Sequence, residues 1–532
     1  MKTIMRIPLT TLLSCLMLAS LLLFFPALTR AETAVEAWVQ RYNGPGNGSG
    51  ISSDGAAAVT VDHSNNVIVT GFSTGSGISP NVYDYLTIQY SSAGVPIWTN
   101  RYSGSGNSDD RAAAVAVDGS NNVIVTGSSF GSGSSEDYAT IKYSSAGVPL
   151  WTNRYNGPGN EVDYAKAVAV DGSNNVIVTG YSMGSGYSDD YATIKYSSAG
   201  VPLWTNRYNG PGNSSDLAYA LAVDGSNNVI VTGYSMGSGS SYDYATIQYS
   251  SAGVPLWTNR YNGPGNSSDL AFAVAVDGSN NVIVTGYSLG GGSSYDYATI
   301  KYSSAGVPLW TNRYNGPGNY DDQACALVVD SNNNVIVTGY SYGSGSLDDY
   351  VTIKYSSAGV PLWTNRYNGP GNANDQAYAV AVDGSNNVIV TGSSTDIGQV
   401  VEYLTIKYSS AGVLLWTSRY HDPSNEAGTA SAVAVDGSNN IIVTGSSGED
   451  FVTVKYVSVW PPVMTDLKLI NGTFQMQVEN LSQFSTVLIE ASTNLSGWSP
   501  LYTNSTPTNV LFYTDPNANN FLWRFYRASG QL

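Results

Sequence analysis

Apolar and polar positions in this chain come in short bursts, and each burst is punctuated by a turn. Residues 218–223 (AYALAV) are small and β-branched throughout, the pattern of a strand covered on both faces. Asp224-Gly225-Ser226-Asn227-Asn228 follows as a turn cluster. A second apolar strand, Val229 to Thr232, ends at Gly233, and a Gly/Ser-rich loop runs from Tyr234 to Tyr242. Asp243 to Tyr249 (DYATIQY) predicts a third strand, Ser250-Ser251-Ala252-Gly253 a hairpin turn, and Val254 to Tyr261 (VPLWTNRY) a fourth. Asn262-Gly263-Pro264-Gly265-Asn266 then leads into the next copy of the same pattern.

The copies are regular. The marker tryptophan stands at Trp38, Trp98, Trp151, Trp204, Trp257, Trp310, Trp363 and Trp416, spaced by 60 once and by 53 thereafter. A fixed period of this length means stacked supersecondary units, and four antiparallel strands per unit describe a β-propeller blade. If Ser250–Gly253 closes its hairpin symmetrically, Asp243 faces Arg260. The same spacing of 17 recurs at Asp84/Arg101, Asp137/Arg154, Asp190/Arg207, Asp296/Arg313, Asp349/Arg366 and, with the acid changed, Glu402/Arg419. We expect a cross-strand ion pair at the outer edge of each blade. The eighth unit has the acid, Asp450, but no Trp-Thr-Asn-Arg-Tyr strand after it, whereas Trp38-Val39-Gln40-Arg41-Tyr42 has no third strand before it. The N-terminal strand should therefore complete the last blade and set Arg41 against Asp450. The prediction is an all-β, eight-bladed propeller over 32–457, with no open edge between first and last blades.

The two ends differ in style. Lys2 and Arg6 precede an apolar run from Leu9 to Leu28, and Thr29-Arg30-Ala31 offers a small-residue cleavage site, so 1–31 read as a secretory signal peptide. Its removal takes the formal net charge from −17 to −20. An acidic exported chain argues against nucleic acid and anionic membrane surfaces as partners, and fits cations, neutral glycans or basic protein patches. One cysteine, Cys325, remains after cleavage. It replaces the Tyr, Phe or Ala of other units and reads as a packed thiol. Trp460-Pro461-Pro462 marks a stiff linker over 458–463, and 464–532 read as a small β-sandwich of short strands between Asn, Gly and Pro turns.

The stretch Asp190 to Asn213 (DYATIKYSSAGVPLWTNRYNGPGN), with the preceding VDGSNNVIVTGYS, resembles the bacterial SBBP β-propeller repeat family, and the resemblance covers 37–456. It implies an exported repeat scaffold and brings no enzymatic activity with it. The hairpin also has a slight likeness to the Trp-marked unit of eight-bladed quinoprotein dehydrogenases, whose cofactor pocket needs vicinal cysteines that one mature Cys does not supply. The tail, with Phe512-Tyr513-Thr514-Asp515-Pro516-Asn517-Ala518 and RFYRA, resembles a short C-terminal β-domain appended to exported bacterial proteins, which implies attachment or sorting.

Function is expected where the repetition fails. DGSNN and SSAG hardly vary, so the face they form reads as structural. The loops between second and third strands do vary, from SMGSGYSD to STDIGQVV, and loops on a rigid scaffold are where binding residues gather. That face also carries Asp54, Asp110, Asp163, Asp216, Asp269, Asp322 and Asp375, each eight residues before the Asp ending its first strand. Two readings stand for them: oxygen ligands for Ca²⁺, with Asp110 through Asp375 as the metal candidates, or caps on the N–H groups of their own loops. The series from Asp62 to Asp436 reads as Asx-type turn formers. Symmetry breaks over blades seven, eight and one, where Gly428 replaces the loop aspartate, and a unique ligand is expected near Tyr83, Asp396, Gln399, His421, Asp422 and Glu426. No nucleophile elbow, phosphate loop or Cys/His cluster appears, so no catalytic residue is assigned. The leading expectation is a monomeric, non-enzymatic scaffold, secreted, periplasmic or on the cell surface. It would bind an extracellular glycan or protein through the variable loops, aided by Tyr187, Tyr242, Tyr295 and Tyr320. The alternatives are a polysaccharide-degrading enzyme working through carboxylates such as Asp396 and Glu426, and a surface protein stiffened by Ca²⁺.

Overall fold

The computed structural model describes residues 5–8, 32–44, 53–75, 82–105, 108–131, 133–237, 241–290, 294–470, 473–521 and 523–531. Apart from 5–8, the expected signal peptide lies outside the described residues, as does most of the blade-one loop with Pro80 and Asn81. The chain divides into two compact units, 36–457, and 458–532 together with 1–35.

The larger unit is an eight-bladed β-propeller of four-stranded antiparallel sheets. Blade four runs Asp216–Val223, Val229–Met236, Tyr242–Tyr249 and Pro255–Tyr261 from the inside outward, and its neighbours repeat it. Each innermost strand touches those of both adjacent blades, including Gly428–Val435 against Gly55–Val61, so the ring closes. Closure happens as the pattern demanded: the last blade is Gly428–Val435, Ile441–Ser447, Asp450–Val459 and, as its outermost strand, Thr33–Tyr42.

The core is partitioned rather than shared. Between blades three and four, Ile177 and Tyr191 of one pack with Ala218, Val229, Val231, Ala245 and Ile247 of the next, and the same set recurs at successive interfaces. Tyr191 also donates its hydroxyl proton to the carbonyl of Ala245 in the following blade, 3.1 Å away. A buried phenol without such an acceptor would carry an unpaid desolvation penalty. Gly253 illustrates why the hairpin turn tolerates no other residue. Its φ is +83°, and a Cβ there would lie 2.7 Å from the ring of Trp204 in the preceding blade.

The hairpin register differs from the symmetrical expectation. A β-bulge between Gln248 and Tyr249 sets Arg260 opposite Ala245 rather than Asp243. The ion pair still forms, diagonally, with Arg260 Nη2 2.8 Å from Asp243. It is more than an outer-edge contact, because the same guanidinium donates to the hydroxyl and carbonyl of Ser235 on the second strand and to Tyr208 of the preceding blade. Each arginine thus clamps strands within a blade and blades to each other.

In the smaller unit, Val463–Ile470, Thr473–Glu479 and Val510–Asp515 form one sheet, and Met5–Pro8, Trp523–Gln531, Thr486–Ser492 and Ser499–Asn504 the other. Phe474, Met476 and Val478 of the first pack with Val487, Ile489 and Tyr526 of the second in a single core, which makes a small sandwich. Phe474 and Tyr526 stack with centroids 4.4 Å apart.

Candidate functional site

The two rims of the propeller are built by different chemistry. On the rim of the DGSNN and SSAG turns, Asp277 accepts from the N–H groups of Ser279 and Asn281, from the Asn281 side chain and from Lys301 at 2.8 Å. Six blades carry this buried Lys–Asp pair. In blades one and four the partner is Gln89 or Gln248, whose carbonyl oxygens find no hydrogen-bond partner among the described residues. Burial alone would raise the Asp277 carboxyl, but the bonds from Lys301, Asn281 and Ser279 outweigh it and hold the group below its ordinary value. Asn280, in the left-handed region at φ 61°, turns its side chain to accept from Gly225 N–H of the preceding blade. The link continues across the closure, where Gly437 donates to Asn65. The Asx-turn reading of this series describes its backbone bonds. The lysine partner was missed, although Lys142, Lys195, Lys301, Lys354, Lys407 and Lys455 recur at one position of the third strand.

On the opposite rim, the aspartates weighed as cation ligands are loop caps. Asp216 is fully buried, and its carboxylate accepts from Gly210 N–H at 2.6 Å and Met236 N–H at 3.2 Å. Asp110, Asp163, Asp269, Asp322 and Asp375 receive the matching glycine N–H in their own blades. Burial pushes these carboxyls above their ordinary value, Asp322 to about 6, against the opposing pull of Ser341 and the Gly316 N–H. Among the described residues no three His, Cys, Asp or Glu side chains converge as a metal site would require.

The residues expected to share a unique ligand are engaged separately. Asp422 is not an open ligand group. It is buried, 2.6 Å from Arg41 Nη1, and accepts from Ser447 Oγ and Ser424 N–H. Asp422 stands at the position of Gly369, and Gly428 at that of Asp375. Blade eight has exchanged the two, so the carboxylate reaches the same serine and the same arginine site from the opposite side of the loop. The apparent break in symmetry is a break in sequence only. His421 places Nδ1 2.6 Å from Glu402, which also holds Arg419. Asp396 caps its own turn through Val400 N–H, with Gln399 at φ 64° in that turn. Glu426 is exposed and lies against Gly448. Tyr83 packs edge-on against Phe72, with the Arg111 guanidinium 4.3 Å from its ring centre. Tyr187 and Tyr320 are exposed, at 82% and 63%, whereas Tyr242 and Tyr295 pack edge-on against Tyr234 and Tyr287.

Those last contacts lead to side chains that sequence reasoning passed over. Tyr164, Tyr181, Tyr219, Tyr234, Phe272 and Tyr287 form an unbroken line of ring contacts across blades three, four and five, with centroids 5.2–6.4 Å apart. They sit on the first and second strands, at the end where the variable loops attach, and all are half-buried. The signal was present but diluted. Tyr219 and Phe272 occupy one repeat position that elsewhere holds Ala57, Ala113, Lys166, Cys325, Tyr378 or Ser431. Cys325 at that position is a free thiol pushed up to about 12 by burial.

No family model matches the chain. It is similar to a WD repeat-containing protein of Acanthamoeba polyphaga mimivirus, 22% identical over 511 residues, covering 73% of this chain and 35% of that protein's length. Among solved structures it is similar to an ulvan lyase of a polysaccharide lyase family (TM-score 0.40, 10% identity, 74% of this chain and 90% of that one). It is also similar to Drosophila plexin A in complex with semaphorin 1b (0.36, 9%, 80% and 88%). A third is an α-L-arabinofuranosidase from Fusarium graminearum (0.33, 12%, 59% and 93%). The chain is a β-propeller repeat protein with a small β-domain.

Proposed function

We propose that this protein is an exported binding scaffold that engages an extracellular glycan or protein through the rim carrying its variable loops. One observation carries this reading: the two rims are unequal, for the apolar side chains exposed at the SSAG end, such as Val254 and Leu256, recur from blade to blade, whereas those of the loop rim do not. The DGSNN rim is bonded internally from blade to blade, including across the closure. The other rim exposes Tyr187 and Ile397 in the loops of blades three and seven, and Tyr320 and Leu347 at blade six. Folding does not require these apolar side chains, because matched loops in other blades lack them, and exposed aromatic groups of this kind favour recognition. The apolar leader supports export, and the likeness of the repeats to SBBP repeats supports a scaffold role. The test is capture from an extracellular extract and a glycan array, run on the native chain and on Tyr187→Ser and Tyr320→Ser variants. Loss of a protein partner, or weakened binding of a glycan, in the variants is the expected result. Equal capture by variants altered on the DGSNN rim and on the loop rim would overturn the assignment.

A further inference from the structure

The propeller's inner wall is lopsided at the loop-bearing mouth of its channel. Tyr219 contacts Tyr181 of the preceding blade, Tyr234 of its own and Phe272 of the next. In an eight-membered ring, blade four faces blade eight and blade five faces blade one. There the matching positions hold Ser431 and Ala57 on the first strand. On the first strand, large flat rings therefore stand across the axis from small side chains; on the second strand, blade one carries Phe72 at the position of Tyr287.

The fold does not demand those rings. Ala57 and Ala113 occupy the Tyr219 position in blades with the same sheet register and the same bulge, and Ser128, Ser393 and Ser446 occupy the Tyr181 position. Aromatic side chains that repetition shows to be dispensable for folding, half-buried and in contact over three blades, make a preformed platform.

The platform's chemistry restricts what it fits. Five of its six members are tyrosines, so apolar faces are bordered by hydroxyls that both donate and accept, as in the Tyr219–Tyr234 hydroxyl pair at 3.2 Å. Its central members Tyr219, Tyr234, Phe272 and Tyr287 carry no formal charge. At one end, the Lys166 ammonium lies 5.4 Å from the centres of Tyr164 and Tyr181, and Glu136 accepts from Tyr164. Asp189 acts on Tyr181 and Arg111 on Tyr164 as well, so two cations and two anions balance at that end. A pyranose ring offers a matching surface: a C–H face for the aromatic planes and equatorial hydroxyls for their rim. We infer that this aromatic arc is the binding platform for an uncharged polysaccharide, which enters the channel mouth and stacks across blades three to five. The inference rests on the proposed binding role and moves its centre away from blades seven, eight and one.

Affinity electrophoresis of the full chain through gels containing hydroxyethylcellulose, xyloglucan or galactomannan, with alginate as the anionic control, tests it. At least one neutral polymer should retard the native protein and alginate should not. Tyr219→Ala and Phe272→Ala place in blades four and five what blade one already carries, so both should fold. Each should weaken binding about tenfold, and the pair more. Tyr187→Ser should change it less than about threefold. If the double variant melts early, Tyr181→Ser supplies the same comparison with a residue three other blades accept. Neutral binding that survives these substitutions, or retardation by alginate alone, overturns the arc. Protein capture abolished by Tyr187→Ser or Tyr320→Ser, without polysaccharide binding, overturns the arc and leaves the scaffold role standing. Absence of any partner overturns both.

Discussion

The two rims carry rings of buried aspartates that look alike in sequence and behave oppositely in structure. Asp277 and its five lysine-paired equivalents have their charge matched and their carboxyls held down. Asp216 and its equivalents in blades two to seven face backbone N–H groups and a serine, so burial dominates and their carboxyls are pushed up. Spacing locates a carboxylate; the partner that arrives from another strand decides what the carboxylate does. The lysine rim is repeated almost without change and holds the ring together. The other rim retains the same fixed caps but surrounds them with side chains that vary from blade to blade.

Closure is the point at which this comparison breaks most severely. Arg41 pairs with Asp422 on the loop rim and Asp450 on the third strand. Arg41→Ala leaves two carboxylates without their cation, and we expect a loss of roughly 3 kcal/mol, read as a fall in denaturant midpoint. Hydrogen exchange should then open blade eight first. Tyr403 Oη and Trp416 Nε1 already find no hydrogen-bond partner among the described residues at the seam between blades seven and eight. Unchanged stability would mean that strand Thr33–Tyr42 does not close the ring.

Within the lysine rim, Asp277→Asn leaves Lys301 buried without its counter-ion and should also cost roughly 3 kcal/mol. Lys301→Gln should cost less than about 1 kcal/mol, because blades one and four already use Gln89 and Gln248 there. Equal losses for the two variants would contradict the pairing. Conversely, Gln248→Lys should raise the midpoint.

The opposed carboxyls predict an unusual acid profile. The raised group Asp322 contributes stability fully below the ordinary carboxylate value near 4, and that contribution is lost as pH rises through about 6. The lowered groups, such as Asp277, contribute above the ordinary value and lose their contribution only as pH falls through their depressed folded values. Tm should therefore hold or rise between pH 6 and about 4.5 and drop below about 4, and Asp322→Asn should flatten the upper arm. A steady decline from pH 7 to 4 would contradict the assignment. The smallest expected effect concerns metal. With the loop aspartates occupied by N–H groups, Ca²⁺ or a chelator should move Tm by less than about 1 °C, and a Ca²⁺-dependent rise would restore a cation role.

The ring, its blade count and its closure were legible because each repeat repeats its own evidence: the same strand pattern and Asp/Arg spacing appear in successive copies. The diagonal register was not, because a bulge at Tyr249 leaves no mark that distinguishes it from a symmetrical hairpin. Asp422 misled for a related reason. Its exchange with Gly428 preserves a carboxylate in space while erasing it from the repeat, so a compensated change resembled a functional one. The aromatic arc escaped notice because its members lie 15–53 residues apart in adjacent contacts and meet only when blades pack side by side. Repetition exposes what every blade does; what a few blades do together emerges only from the assembled ring.

Hydrogen–deuterium exchange of the full chain, with and without whichever neutral polysaccharide retards it, tests the division of labour between the rims most directly. Slowed exchange should centre on the first and second strands of blades three to five, around Tyr181, Tyr219 and Phe272, with the DGSNN turns unchanged. Protection confined to the DGSNN rim, or to blades seven, eight and one, would contradict it.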